Sequence, residues 1–416
     1  MTPEILFYII LSIIIFSFIL EQIVDFKNAT WFSKPIPAIL SDIYDAEKYK
    51  QQQNYKFDNY RFGIVSSCVS FAIMCIVLVF KGFAFVNHIV LQTTDFYILQ
   101  TLLFFGICYG AMLVISLPFG IYETFVIEKK YGFNKTTPKV FITDTLKSLL
   151  LSIVIGGGLL AFIVYIYMLT STYFWLLAWV LITGFSVFMG IFYSTLIVPL
   201  FNKQTPLEEG ELKTAILNFA EKAGFNISNI FVIDGSKRST KANAYFTGLG
   251  KRKRIVLYDT LIQEMGTHEI VAVLAHEIGH YKHKHIYKSM IYGIVETGIM
   301  LFIFGYFAAS PELSAALGVE QPTFHIALIA FTIIYSPVSS VLDIFSNSQS
   351  RKNEYQADNF AKKYGISAHL ISALKKLSSH NMSNLTPHPW TVFLEYSHPP
   401  LCERVGNLSE PLCLEP

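Results

Sequence analysis

Apolar residues in this chain gather into long blocks, not into the one-sided stripes of a soluble amphipathic helix. A bilayer core of ~30 Å needs about 20 mainly apolar helical residues to cross it. Blocks of that length run at 5–24, 62–86, 97–122, 148–169, 174–200, 287–309 and 324–345. They predict seven membrane helices with the two termini on opposite sides. The first block has no basic segment before it and no small-residue cleavage site after it, so it reads as a span and not as a removable signal peptide.

Polar positions sort cleanly between the blocks. All but Lys81 of the 32 Lys and Arg residues fall in 26–61, 123–147, 201–288 and 346–416. The opposite face receives 1–3, 87–95, 170–173 and 310–323, which carry no Lys or Arg. A wrong span count would scatter these charges. By the positive-inside rule the basic face is cytoplasmic. The six Asn-X-Ser/Thr sites, at Asn28, Asn134, Asn226, Asn381, Asn384 and Asn407, all lie on that face, so none is expected to carry a glycan.

Two stretches remain for soluble structure, both on the basic face: 201–285 and 346–416. The first holds short β-branched and aromatic runs at 229–233, 242–247 and 254–257, separated by Gly248, Gly250 and a Lys/Arg loop, the pattern of a small sheet. Residues 209–222 before them have helical spacing. The predicted fold is therefore mainly α: a polytopic membrane protein with seven transmembrane helices and a cytoplasmic domain containing a small β-sheet. Its parts run 1–200 (spans one to five, with cytoplasmic loops 26–61 and 123–147), 201–286, 287–345 (spans six and seven) and 346–416.

Composition narrows the classes further. The chain is 53 % hydrophobic and 15 % charged, against about 25 % charged in soluble domains. A net charge of +2 gives no ground for nucleic-acid binding. Cys68, Cys75, Cys108, Cys402 and Cys413 form no CxxC pair, and three lie inside apolar blocks, so no structural disulfide is expected.

The chemistry concentrates at His276-Glu277-Ile278-Gly279-His280. On a helix, positions four apart share a face, so the two imidazoles can bind one zinc ion and Glu277 can act as general base to the water it activates. The apolar residues Ile270, Val271, Val273 and Leu274 support a helix here. A catalytic zinc takes three protein ligands and keeps one position open. Glu354 fits as the third, because it lies on the same face of the membrane and follows a span antiparallel to the one after the motif. Asp358, one turn further, can orient a ligand histidine through its second ring nitrogen. His283 and His285, among Lys282 and Lys284, read as surface residues. His380 and His388 carry no signal.

His276–His280 with 350–358 (SRKNEYQAD) and His398-Pro399-Pro400-Leu401-Cys402-Glu403-Arg404 resembles the type I CAAX prenyl protease family of integral-membrane gluzincin zinc peptidases. Further stretches agree in order: 118–128 (PFGIYETFVIE), 132–135 (GFNK), 199–203 (PLFNK), 206–210 (PLEEG), 243–246 (NAYF) and 253–257 (KRIVL). The resemblance implies a seven-helix barrel around an internal chamber, one zinc per chain at its cytoplasmic end, and cleavage beside a prenylated cysteine to release three residues. It also implies His398 and Arg404 at the active site, His398 donating to the developing oxyanion. The strand of Asn243, Ala244, Tyr245 and Phe246 would bind the substrate backbone as an added strand.

The partners this implies are a peptide or protein substrate, prenylated on the resemblance, and membrane lipid; no residue pattern sets the oligomeric state, and a monomer is expected. Two other readings fit the residues: a membrane quality-control metalloprotease acting on unprenylated or misfolded proteins, and a transporter or channel with a structural zinc. An intramembrane protease fits less well, since Lys282, Lys284 and Lys288 place the motif outside the hydrocarbon. Glu296, His325 and Asp343 lie within spans, where charge is costly, and are expected to face a water-filled interior or one another.

Overall fold

The structure, a computed structural model, describes residues 2–170, 172–227, 229–248 and 254–410. Gly250, Lys253 and Cys413 of the sequence reading lie outside them. Among the described residues seven helices are long and apolar enough to cross a membrane: Pro3–Ala29, Ala46–Val79, Tyr97–Glu128, Pro138–Leu169, Phe174–Phe201, His285–Phe307 and Phe324–Lys363. Polar side chains start several of them. Asp45 accepts the Lys48 N–H at 2.7 Å, and Thr137, followed by Pro138, accepts the Val140 N–H at 3.3 Å.

The second apolar block, 62–86, is not one helix. Its helix ends at Val79, Lys81 adopts a left-handed conformation (φ 54°), and a separate helix, Gly82–Thr93, follows. Segment 87–95 is thus mostly helical and not a loop. At its other end the second span begins at Ala46, so much of 26–61 is helix too. The seventh helix runs unbroken for 40 residues, carrying the chain from the apolar block straight into the SRKNEYQAD stretch.

Burial is concentrated at the two ends of the molecule. At the end away from the basic residues, the helices Gly82–Thr93 and Pro311–Ala316 plug the bundle, with Ile10, Val90, Phe104, Phe174 and Phe324 packed together. Between the ends only 6–11 % of each span's most apolar window is buried. A solid bundle buries a stripe along every helix. These spans bury little surface against one another along their length, and their burial is gathered at the two ends.

The basic end is closed by a small α/β layer. Strands β1 (Gln204–Pro206), β2 (Ile230–Ile233), β3 (Ala244–Thr247) and β4 (Arg254–Tyr258) form a sheet in the order β1-β2-β4-β3. The β2–β4 pair is parallel and the other two are antiparallel, with Ala244 opposite Leu257 and Phe246 opposite Ile255. One face of the sheet packs Ile255 and Leu257 against Ile216 and Phe219 of the helix Glu211–Lys222 and Leu274 and Ile278 of the helix Thr267–Lys282. Among the described residues β3 is an edge strand, hydrogen-bonded to β4 on one side.

His325 departs from the expectation of a wet interior. It is fully buried, with Nε2 2.8 Å from Asn87 Oδ1, Nδ1 3.3 Å from Thr101 Oγ1 and its ring 4.4 Å from that of Phe104. Asn87 belongs to the helix that replaces the expected loop, and without that helix the sequence shows His325 no partner. Glu296 is half-buried and Asp343 exposed, with Tyr292 in electrostatic reach of both. Cys68, Cys75, Cys108 and Cys402 are free thiols.

Candidate metal centre

The metal motif lies on the helix Thr267–Lys282, which begins where the Gly266 N–H donates to Glu269 Oε2 at 2.8 Å. Ile270, Leu274 and Ile278 bury one face against the sheet, which turns His276 and His280 toward the seventh helix. The two helices meet almost backbone to backbone. A Cβ on Gly279 would stand 2.9 Å from the Ala357 Cα and 3.0 Å from the Phe360 Cβ, so only glycine fits. Ala357 and Ala361, fully buried, are the small residues on the facing side.

That close approach brings Glu354 onto both imidazoles. His276 Nε2 and His280 Nε2 are 3.1 Å apart; Glu354 Oε2 is 3.3 Å from the first and Oε1 3.1 Å from the second. The three groups form a cluster whose ligand atoms lie within 4.8 Å of one another. Ligand atoms bonded to a tetrahedral zinc at ~2.0–2.2 Å lie roughly 3.3–3.6 Å apart, so the set has the span such an ion needs. Glu354 Oε2 is buried and makes no hydrogen bond, with His276 Nε2 and the Arg404 guanidinium Nη1 each 3.3 Å away. Two imidazole lone pairs and an orphaned carboxylate oxygen converging on one point are a donor set for a cation. The residues fit a zinc ion.

The surroundings are anionic. Asp358, fully buried, is 2.8 Å from His276 Nδ1 and accepts two bonds from Arg404, Nη2 at 2.6 Å and Nε at 2.9 Å. With His276 neutral, as a metal ligand must be, Glu277, Glu354 and Asp358 against one Arg404 leave two formal negative charges, which a divalent cation balances. His276 feels the same field. Burial and the Arg404 charge favour its neutral form, but the hydrogen bonds and charges of Asp358 and Glu354 outweigh them and hold its pKa up at about 9. Positive charge at this point is therefore favourable. Arg404 loses by burial and gains more from Asp358 and Glu354, so its pKa is raised.

A cleft of about 540 Å³ opens beside the three ligand residues, lined among others by Glu277, Asn243, Ala244, Phe246, Arg404 and His398. His398 is largely exposed, with Nε2 3.4 Å from Glu354 Oε1 and Nδ1 3.0 Å from Ser397 Oγ. Tyr245 alternates to the other face of β3, where its ring meets that of Tyr258. The strand thus offers Ala244 and Phe246, not Tyr245, to the cleft. Arg404, with little exposed surface, meets the cluster directly at Glu354 and also holds Asp358 against His276.

Several contacts were not visible in the sequence. His285, read as a surface residue, is buried at 3 % exposure: its Nδ1 is 3.0 Å from His280 Nδ1 and its Nε2 2.8 Å from Gln356 Oε1. His283 is exposed, as expected. His380 ends the helix Ser367–His380 and donates to the Thr240 carbonyl at 2.6 Å, and His388 caps the helix Pro389–Glu395. Asn381 holds the chain just before β3, with its Oδ1 accepting the Ala242 N–H at 3.1 Å and its Nδ2 donating to the Ala242 carbonyl at 3.2 Å.

Comparison with known proteins matches two family models end to end. Residues 25–203 match the CAAX prenyl protease N-terminal model of five membrane helices, and residues 206–412 match peptidase family M48. The "CAAX prenyl protease 1 homolog" of Oryza sativa subsp. japonica is 36 % identical over 96 % of this chain and 96 % of its own length. "CAAX prenyl protease 1" of Saccharomyces cerevisiae is 34 % identical over 90 % of this chain and 88 % of its own. The Homo sapiens homolog is 32 % identical with the same coverage. The crystal structure of S. mikatae Ste24p superposes with a TM-score of 0.91 at 34 % identity, covering 97 % of this chain and 99 % of that one. The chain belongs to peptidase family M48, among the CAAX prenyl proteases, and is a multi-pass membrane metallopeptidase.

Proposed function

We propose that this peptidase is a zinc-dependent endopeptidase that removes the last three residues of prenylated CAAX proteins, working as a monomer with one zinc per chain. The observation that carries the reading is the convergence of His276, His280 and Glu354 beside Glu277, in a cleft whose wall is an edge strand. The substrate class follows from the relatives' names and is supported by the cleft's place against the sixth and seventh membrane helices, whose Ile286, Ser289 and Ser350 line it.

His276, His280 and Glu354 would hold the ion. When bound, zinc supplies a Lewis acid and a water acidified toward neutral pH. Glu277 takes the proton from the attacking water and delivers it to the leaving amine as the peptide bond breaks. His398, the exposed histidine at the cleft, donates to the oxyanion that forms at the carbonyl. Arg404 and Asp358 act on His276, holding its ring and its Nδ1 proton in place. Asn243, Ala244, Tyr245 and Phe246 offer the backbone edge of β3, with the side chains of Ala244 and Phe246 toward the substrate. The excess of basic residues around this end supports a site on the cytoplasmic side, with the membrane's lipid around the spans.

Mass spectrometry of a farnesylated CAAX peptide incubated with purified protein tests the reading. Release of the terminal tripeptide by the wild type, and not by Glu277→Gln, is the expected result. A zinc-loaded wild type that leaves the farnesylated peptide intact yet cuts an unprenylated membrane protein would sink the CAAX substrate in favour of quality control.

A further inference from the structure

We infer that His285 is a positioning residue for His280, setting which of its nitrogens is free to bind metal through a one-way chain of hydrogen bonds that ends at Gln356. The inference rests on the metal centre proposed above. His280 Nε2 is the nitrogen that faces His276 Nε2 and Glu354 Oε1, at 3.1 Å from each, so it is the ligating atom. Its Nδ1 then carries the proton and must donate it. The acceptor in reach is His285 Nδ1, 3.0 Å away. An imidazole that accepts at Nδ1 carries its own proton at Nε2, and that nitrogen meets the Gln356 side-chain oxygen at 2.8 Å. Every donor faces an acceptor only if His285 is neutral and the chain runs in this one direction.

The backbone is shaped for the contact. Were the metal helix continuous, His285 would follow His280 by five residues and point well away from it. Instead Lys284 takes a left-handed conformation (φ 58°), the helix ends, and the next helix starts at His285 itself. That kink swings the ring back beneath His280 and buries it. A non-glycine residue in this conformation is uncommon and mildly strained. Gln356 lies on the seventh helix two residues after Glu354, so the two ends of the chain, ligand and anchor, share one rigid element.

The two metal-binding histidines are therefore held differently. His276 gives its Nδ1 proton to a carboxylate, Asp358, while His280 gives its own to a neutral imidazole. A carboxylate partner raises ligand basicity and adds negative charge. A neutral one fixes orientation without adding charge. With Glu277, Glu354, Asp358 and Arg404, the centre reaches neutrality on binding a divalent cation; a second carboxylate partner would leave it negative and a weaker Lewis acid.

The test measures zinc dissociation from full-length protein in detergent by competition with a chelator, with no peptide present. His285→Phe, which keeps the ring's bulk and loses the acceptor, is expected to release zinc roughly 10–100-fold faster, the range seen when such outer partners are removed. His285→Gln, which can present an amide oxygen to His280, is expected to recover part of that loss. Gln356→Leu, which leaves His285 in place but frees its tautomer, is expected to fall between wild type and His285→Phe, and it decides the matter should the phenylalanine variant not fold. Wild-type dissociation from His285→Phe, or His285→Gln losing zinc as fast as His285→Phe, would overturn the inference and leave the ring a packing residue. A wild type that binds no zinc at all would overturn the metal reading beneath it instead.

Discussion

Lys241 Nζ lies 2.8 Å from Glu128 Oε2, and this pair ties the end of the third span to the segment that leads into β3. Tyr55 of the second span completes the knot, donating to Glu128 Oε1 at 2.5 Å with its own oxygen 3.1 Å from Lys241 Nζ. Lys241 stands two residues before Asn243, so whatever holds Lys241 sets the position of the edge strand. The membrane domain thereby has a direct grip on the wall of the cleft. Lys241→Met should raise the KM for peptide on the order of tenfold, ~1.4 kcal/mol of binding, while zinc content stays at wild type. Steady-state kinetics beside metal analysis checks it; an unchanged KM would show that β3 is placed without this tie.

Gly279 is the contact that brings the helices of His280 and Glu354 together. Gly279→Ala puts a methyl 2.9 Å from the Ala357 Cα, and backbone cannot give way as a flexible side chain can. Overpacking of this kind typically costs ~1–3 kcal/mol. The variant should fold with a lowered Tm and a loss of zinc out of proportion to it, because the helices separate along the line that joins His280 to Glu354. Equal losses of zinc and Tm would point to global unfolding instead.

Asp358 and Arg404 stand behind His276, and the bidentate fork is what keeps the carboxylate aimed. Lysine offers charge without a fork. Arg404→Lys is expected to weaken zinc binding ~10–100-fold, and Asp358→Asn to do at least as much. Equilibrium titration with a zinc buffer reads both. Retention of wild-type affinity by Arg404→Lys would reduce Arg404 to a charge neutraliser.

The start of the metal helix gives a pH signature. Burial opposes ionisation of Glu269, but Lys376, Ser372 and the Gly266 N–H outweigh it and hold its pKa below the usual carboxylate range. A depressed carboxylate stabilises the fold above its unfolded pKa and loses that contribution as pH falls through its folded value. Glu269→Gln keeps an oxygen for the Gly266 N–H but loses the charge that Lys376 faces, so it should cost about 1 kcal/mol at neutral pH and progressively less below about pH 4. Thermal unfolding of both proteins across that range would show the two curves converging; a constant gap would mean the charge is not what matters.

Legibility followed the kind of physics each feature depends on. Transfer of apolar surface out of water is strong and local, so seven spans and one basic face could be read from the chain, and four-residue spacing put His276 and His280 together. Glu354 was reachable because span order places it on the right side. That it rides the same helix as the seventh span was hidden, since the apolar pattern stops near Phe345 while Lys, Glu, Gln and Ala carry the helix on to Lys363. His285 was misread because its place depends on a left-handed kink at Lys284, a residue with no glycine-like signal. The break at Lys81 in the second apolar block escaped notice for the same reason. Lys241 and Glu128 are 113 positions apart, and nothing in either neighbourhood announces the other.

The unbroken helix from Phe324 to Lys363 puts Glu354 at the end of a lever. Nineteen residues at ~1.5 Å each separate the helix's midregion near Tyr335 from Glu354, an arm of nearly 30 Å. A change in bilayer thickness that tilts the span by about 10° swings the far end of that arm by ~5 Å. Since Gly279 and Ala357 are pressed together, the helix of His276 and His280 is coupled to that sideways motion, so the tilt of one membrane span and the geometry of the three-residue cluster are mechanically linked.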